Sequence, residues 1–266
     1  MSGPLDGRTA VVTGAFGRLG PVWCEALLSA GATVVGLDLA GASPSGDYER
    51  LRRDAGARLT TIPADVRDRA SLEAARRQCG EGAGEPSILV NNAGIDQPPG
   101  PAKTFRIEDF PAALFSGVLE VNLTGAFQAA QVFGPAMVRA GRGSIVNIGS
   151  LYASVSPDAR FYDHLPSTPP FLKPPAYGAS KAALVNLTRY LATHWGPSGV
   201  RVNALSPGGV EGGQDPEFKR KFTSRVPLGR MAAAQDLAGP LIFLASDASS
   251  YVTGIELRVD GGFTAW

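Results

Sequence analysis

The chain has 266 residues, 44% of them apolar, which suits one large α/β domain or two small ones. A formal net charge of +1 argues against a nucleic-acid-binding surface or an acidic tail, and Cys24, Cys79 and two histidines offer no metal-ligand spacing. No signal peptide opens the chain and no apolar run approaches the ~18 residues of a membrane span. A cytoplasmic protein with no metal, membrane or nucleic-acid partner is expected.

Short apolar runs alternate with helical stretches. "RTAVVTG" precedes a helix from about Arg18 to Ala30, and "ATVVGLD" precedes a polar helical segment. "ARLTTIPAD" leads to the helix "RASLEAARRQCG", and "SILVNNAG" to a loop and a long helix around Phe110 to Arg139. "GSIVNIGS", "AYGASKAALVNLTRYLATHW" and "VRVNALSPGG" follow, then a helix "DLAGPLIFLASD" and a last strand "GIELRVDGG". Strands this short with helices between them are buried parallel strands joined by crossovers. Right-handed crossovers give a single-domain, Rossmann-like, doubly wound α/β sheet of about seven strands with helices on both faces. No linker or repeat divides residues 1–266. One segment, Leu151 to Pro175, is rich in proline and aromatics and too long for an ordinary connection.

"TGAFGRLG" places Gly14, Gly17 and Gly20 three residues apart between the first strand and the first helix. There glycines allow a tight turn and close backbone approach to a pyrophosphate, which the helix N-terminus also attracts. Asp38 ends the second strand, where a carboxylate accepts hydrogen bonds from ribose hydroxyls and repels a 2′-phosphate. These two features alone would also suit a methyltransferase holding adenosylmethionine. "YGASK" sets Tyr177 and Lys181 on one helix face. Bringing a tyrosine from a pKa of about 10 to about 7 takes roughly 4 kcal/mol. One ammonium at about 4 Å supplies about that much at an effective dielectric near 20. Lys181 is therefore expected to tune Tyr177 as a proton donor and acceptor. Ser150, "NNAG" (Asn91 to Gly94) and "SPGG" lie at strand ends, the ligand edge of such sheets, and Asn122 lies inside a helix.

Taken together, the glycine loop, Asp38, "ADV" with Asp65, "NNAG", Asn122, Ser150, "YGASK", "RVNALSPGG" and "VDGG" resemble the short-chain dehydrogenase/reductase family, from Thr13 to about Gly262. The resemblance implies an oxidoreductase moving hydride between a nicotinamide cofactor and an alcohol or carbonyl. Tyr177 would be the acid/base, Lys181 its tuner and a ribose ligand, Ser150 the substrate anchor, and Asn122 the holder of a relay water. Gly14, Phe16, Gly17, Arg18 and Leu19 would form the cofactor loop. Asp65 and Val66 would border the adenine, and Asn92, Ala93 and Gly94 the adenosine ribose. Pro207, Gly208 and Val210 would lie along the nicotinamide. NAD is expected over NADP from Asp38. A homotetramer, or at least a dimer, is implied through the two long helices, with Phe263 and Trp266 packing across a subunit boundary.

Three departures stand out. Arg18 replaces a glycine, giving a spacing seen in NAD-using epimerases and dehydratases; it is either solvated or a pyrophosphate contact. "VEGGQD" lacks the threonine that meets the carboxamide, with Gln214 the nearest substitute. Ser150 and Tyr177 lie 27 residues apart, about twice the usual spacing. The inserted segment 151–175 is expected to form a lid over a polar, sugar-like substrate, with Tyr162 and His164 touching it. The alternatives are an epimerase or dehydratase with tightly held NAD, and a non-enzymatic cofactor-binding regulator.

Overall fold

A computed structural model describes residues 3–96 and 104–266. Its elements run β1 (Thr9–Thr13), α1 (Gly20–Ser29), β2 (Thr33–Asp38), α2 (Gly46–Ala55), β3 (Leu59–Pro63), α3 (Arg69–Gly82) and β4 (Ile88–Asn91). Helix α4 (Ala112–Leu119) passes through a π-helical turn, Glu120–Gly125, into α5 (Ala126–Arg139). Then come β5 (Gly143–Ile148), α6 (Pro175–Trp195), β6 (Val200–Pro207), α7 (Pro216–Thr223), α8 (Gln235–Ala245) and β7 (Glu256–Val259).

The seven strands form one parallel sheet in the order β3-β2-β1-β4-β5-β6-β7. Alternate residues serve opposite faces. Ala10 and Val12, with Ile88 and Val90, join the core under α1 and α8. Val11 and Leu89 join the one under α3, α5 and α6. Both faces are thus apolar, which is why the strands read as continuous hydrophobic runs. The order reverses between β1 and β4, and the crevice beyond these strand ends is the ligand position of this architecture.

A third, smaller core lies apart from the sheet. It joins Leu151, Phe161 and Tyr162 of the inserted segment to Phe222 of α7, Val226, Met231 and Phe263. Phe263 is 2% exposed within its own chain and stacks on Phe222 at 4.9 Å. The expected home for Phe263 across a subunit boundary is therefore corrected: the insertion and α7 supply it. Trp266 remains exposed, its indole N–H donating to the Arg225 carbonyl. Helix α7 escaped the sequence reading because its eight residues are strongly charged.

Candidate active site

The β1–α1 turn is built as its glycines demand. Gly14 has φ of +64°, and a Cβ there would lie 2.7 Å from Ala93 Cα. A Cβ on Gly20 would lie 2.2 Å from the Ala15 carbonyl oxygen. Gly17 carries no such constraint. Helix α1 starts at Gly20, so Arg18 sits in the turn before it rather than at the helix start. Its guanidinium donates to the Val210 carbonyl at 2.6 Å, tying the glycine loop to the segment after β6. Asp38 accepts from the Phe16 amide at 2.8 Å and from its neighbour Leu39, so it also braces the loop. Phe16 packs edge-on against Tyr48 at 4.9 Å. Leu19 packs on the core below.

A cavity of about 1250 Å³ opens beyond the strand ends. Gly14, Phe16, Gly17, Arg18, Leu19 and Asp38 line it. So do Asp65, Val66, Asn92, Ala93 and Gly94, and further along Pro207, Gly208 and Val210. Asn92 turns its amide inward, donating to the Thr13 and Gly14 carbonyls and accepting from Trp23. Asp65 is gripped by Arg67, whose hydrogen bonds hold the carboxyl below its usual range.

Ser150, Tyr177 and Lys181 also line this cavity. Ser150 sits just past β5, its hydroxyl accepting from the Tyr152 amide at 3.2 Å beside the Tyr177 phenol. Lys181, 4% exposed, donates to the Ile148 carbonyl at 2.7 Å, and its nitrogen is 5.7 Å from the Tyr177 ring centre. Burial pushes the ammonium down to about 8, with Asp96 opposing. The same burial pushes the Tyr177 phenol well above its ordinary value; Asp96 adds to this, while the nearby Ser150 hydroxyl opposes it. The expectation that Lys181 alone brings Tyr177 near neutrality is thus corrected. Desolvation of the phenolate outweighs an ammonium that is engaged by a carbonyl instead.

Asn122 is placed behind the cavity wall. Its amide accepts from the Ile95 N–H at 2.7 Å and donates to the Ile95 carbonyl and to Ser180. With both amide protons committed, its side chain clamps the chain after Gly94. The π-helical turn carries Asn122 and displaces it from regular helical register.

These features suit a dinucleotide. At Gly14 a Cβ would meet the Ala93 backbone, so only glycine lets the β1–α1 turn close against the end of β4 at the cavity, leaving backbone there for an anion to approach. The Gln214 side-chain oxygen is buried and unpaired on the cavity wall, an acceptor that a carboxamide N–H would satisfy. Residues 19–264 match the family model described as Enoyl-(Acyl carrier protein) reductase. The chain is a short-chain dehydrogenase/reductase. It is 37% identical to a galactitol 2-dehydrogenase (L-tagatose-forming) of Cereibacter sphaeroides, over 98% of this chain and 97% of that one. A crystal structure of a gluconate 5-dehydrogenase from Burkholderia cenocepacia J2315 with NADP and tartrate superposes with a TM-score of 0.83 at 31% identity, covering 98% and 97% of the two chains. A short-chain dehydrogenase of Leptospira borgpetersenii with bound NAD+ gives 0.84 at 34%, covering 98% and 94%. This short-chain dehydrogenase/reductase is an NAD(P)-dependent oxidoreductase acting between alcohol and carbonyl.

Residues that no motif announced also line the cavity of this dehydrogenase/reductase, among them Arg67, Asp96, Tyr152 and Lys173. Tyr162 lines it as expected, but His164 does not. His164 Nε2 lies 2.8 Å from Asp215 Oδ1, and its Nδ1 faces Lys221, which pairs with Asp163. Asp215 in turn caps α7 through the Phe218 amide at 2.8 Å. His164 thus fastens the insertion to α7, and the substrate contact expected of it is corrected. Only the path of both segments, 51 residues apart, brings these groups together.

Proposed function

We propose that the protein oxidises a secondary hydroxyl of a polyhydroxylated, sugar-like small molecule, or reduces the matching ketone, with NAD preferred. The observation that carries this reading is the convergence of Ser150, Tyr177 and Lys181 on one wall of the glycine-loop cavity. Ser150 and Tyr177 would hold the reacting oxygen between their hydroxyls. Tyr177 would take the hydroxyl proton on oxidation and return it on reduction. Lys181 would position the cofactor ribose, supply positive charge, and link Tyr177 to the Ile148 carbonyl. The nicotinamide, when bound, supplies the hydride acceptor and, oxidised, a further positive charge that favours phenolate. Gly14 and Gly17 would seat the pyrophosphate with Arg18 across it. Asp38, followed by the apolar Leu39, favours a ribose without 2′-phosphate. Asp65 and Val66 would border the adenine, and Asn92 and Gly94 would approach the adenosine through their backbone.

Relatives acting on galactitol and gluconate support the polyhydroxylated class. Exposed Phe127 on α5 and Tyr190 on α6 support a homotetramer through these helices, which light scattering at micromolar concentration tests; a monomer would overturn it. A cytoplasmic setting completes the proposal.

The test is nicotinamide absorbance with a panel of polyols and sugar acids, for wild type and Tyr177→Phe. Wild type should turn over at least one class. Tyr177→Phe should bind cofactor normally and lose roughly 100- to 10,000-fold in kcat. A variant within threefold of wild type would remove Tyr177 from the chemistry.

A further inference from the structure

The insertion delivers a cation to the active site. Lys173 Nζ lies 2.6 and 2.7 Å from the two carboxylate oxygens of Asp96, which follows β4. The lysine side chain is only 8% exposed, whereas Asp96 is 41% exposed. The ammonium stands 5.3 Å from the Tyr177 ring centre and 5.7 Å from that of Tyr152. Both charged residues line the cavity beside Ser150 and Tyr177. The other carboxylate on the insertion side, Asp215, is occupied by His164 and the α7 amides.

We propose that the Asp96–Lys173 pair reads the substrate as a neutral polyol, binding hydroxyls next to the reacting carbon and disfavouring hydroxy acids. This rests on the dehydrogenase reading above and narrows it. Each Asp96 oxygen keeps a lone pair free after accepting from Lys173. Two hydroxyls on adjacent carbons can each donate to one of these oxygens, while Lys173 has a third N–H for a hydroxyl oxygen. A carboxylate in the same place meets an ammonium already neutralised, and a negative charge at hydrogen-bonding distance. The aromatic rings of Tyr152, Tyr162 and Phe171 border the site and keep the local dielectric low, which sharpens both effects. Specificity here comes from a built-in repulsion as well as an attraction.

A simple latch between the insertion and the β4 end would predict something different. Removing either partner would then weaken all substrates alike.

The experiment compares matched pairs that differ only at C1, galactitol with galactonate and glucitol with gluconate. Wild type, Asp96→Asn and Lys173→Gln are assayed with saturating NAD or NADP. Wild type should favour the alditol in kcat/KM by about 30-fold or more, the effect of a charge mismatch of this kind. Asp96→Asn frees the ammonium, so the alditol/aldonate ratio should fall at least tenfold, chiefly through KM. Lys173→Gln should raise the alditol KM without gaining aldonate. The KM for cofactor should stay within twofold in both. A wild-type preference for aldonates overturns the proposal, and so does a ratio unmoved in Asp96→Asn. Calorimetric titration of the same pairs into NADH-loaded enzyme gives the ratio without turnover. Retained discrimination with no turnover would count against the dehydrogenase reading alone. Turnover or binding without discrimination, or no alditol binding at all, would count against the ion pair.

Discussion

Replacing Lys181 with Met isolates the energetic cost of the active-site ammonium. The lysine is buried, and burial lowers it from 10.5 to about 8. Between these values the unfolded chain holds a proton that the native chain does not, so stability rises with pH across that window. From pH 7 to pH 10 the linkage relation for this one group gives wild type about 2 kcal/mol relative to a chain lacking it. Other titrating groups are common to both proteins and cancel in the difference. At pH 7 the Met variant should be at least as stable as wild type: it escapes burying a charge, although losing the bond to the Ile148 carbonyl costs about 1 kcal/mol. The assay is urea unfolding of cofactor-free protein at pH 7, 8, 9 and 10, read as wild type minus variant. The difference should move in favour of wild type by about 2 kcal/mol as pH rises. A difference that stays constant would mean that the ammonium is solvated in the native state, and the argument from burial would fail. Turnover should be lost in the variant at every pH, so stability and activity separate at one residue.

Asp38→Ser should raise the NADP/NAD ratio of catalytic efficiencies about tenfold or more, since a like charge beside a 2′-phosphate is removed; it should also loosen the glycine loop, because the Phe16 amide loses its acceptor. A wild type that already prefers NADP would show that Asp38 acts on the loop rather than on the ribose. His164→Ala should destabilise the protein by about 1 kcal/mol and speed amide exchange in residues 161–165 and in α7, with cofactor affinity unchanged. A raised substrate KM with unaltered exchange would return His164 to the substrate site.

The sequence by itself determined the architecture and singled out the residues proposed as the chemical centre. Strand and helix periodicities are carried by neighbouring residues, so the parallel sheet was legible from runs such as "TAVV" and "SILV". The Gly20 constraint acts within one turn, against the Ala15 carbonyl, and Tyr177 and Lys181 share a face because they lie four apart on α6. What the tertiary structure decided involves residues distant along the chain or the sign of burial. Asp96 and Lys173, 77 residues apart, meet only because the insertion folds back over β4. His164 finds Asp215, and Phe263 finds Phe161 and Phe222, because α7 and the insertion share a small core. Pairwise spacing likewise suggested that Lys181 would lower Tyr177, but spacing carries no desolvation energy. Once both groups are enclosed and Lys181 turns to the Ile148 carbonyl, burial sets both shifts, because the loss of water costs a charged group more than one partly engaged neighbour returns.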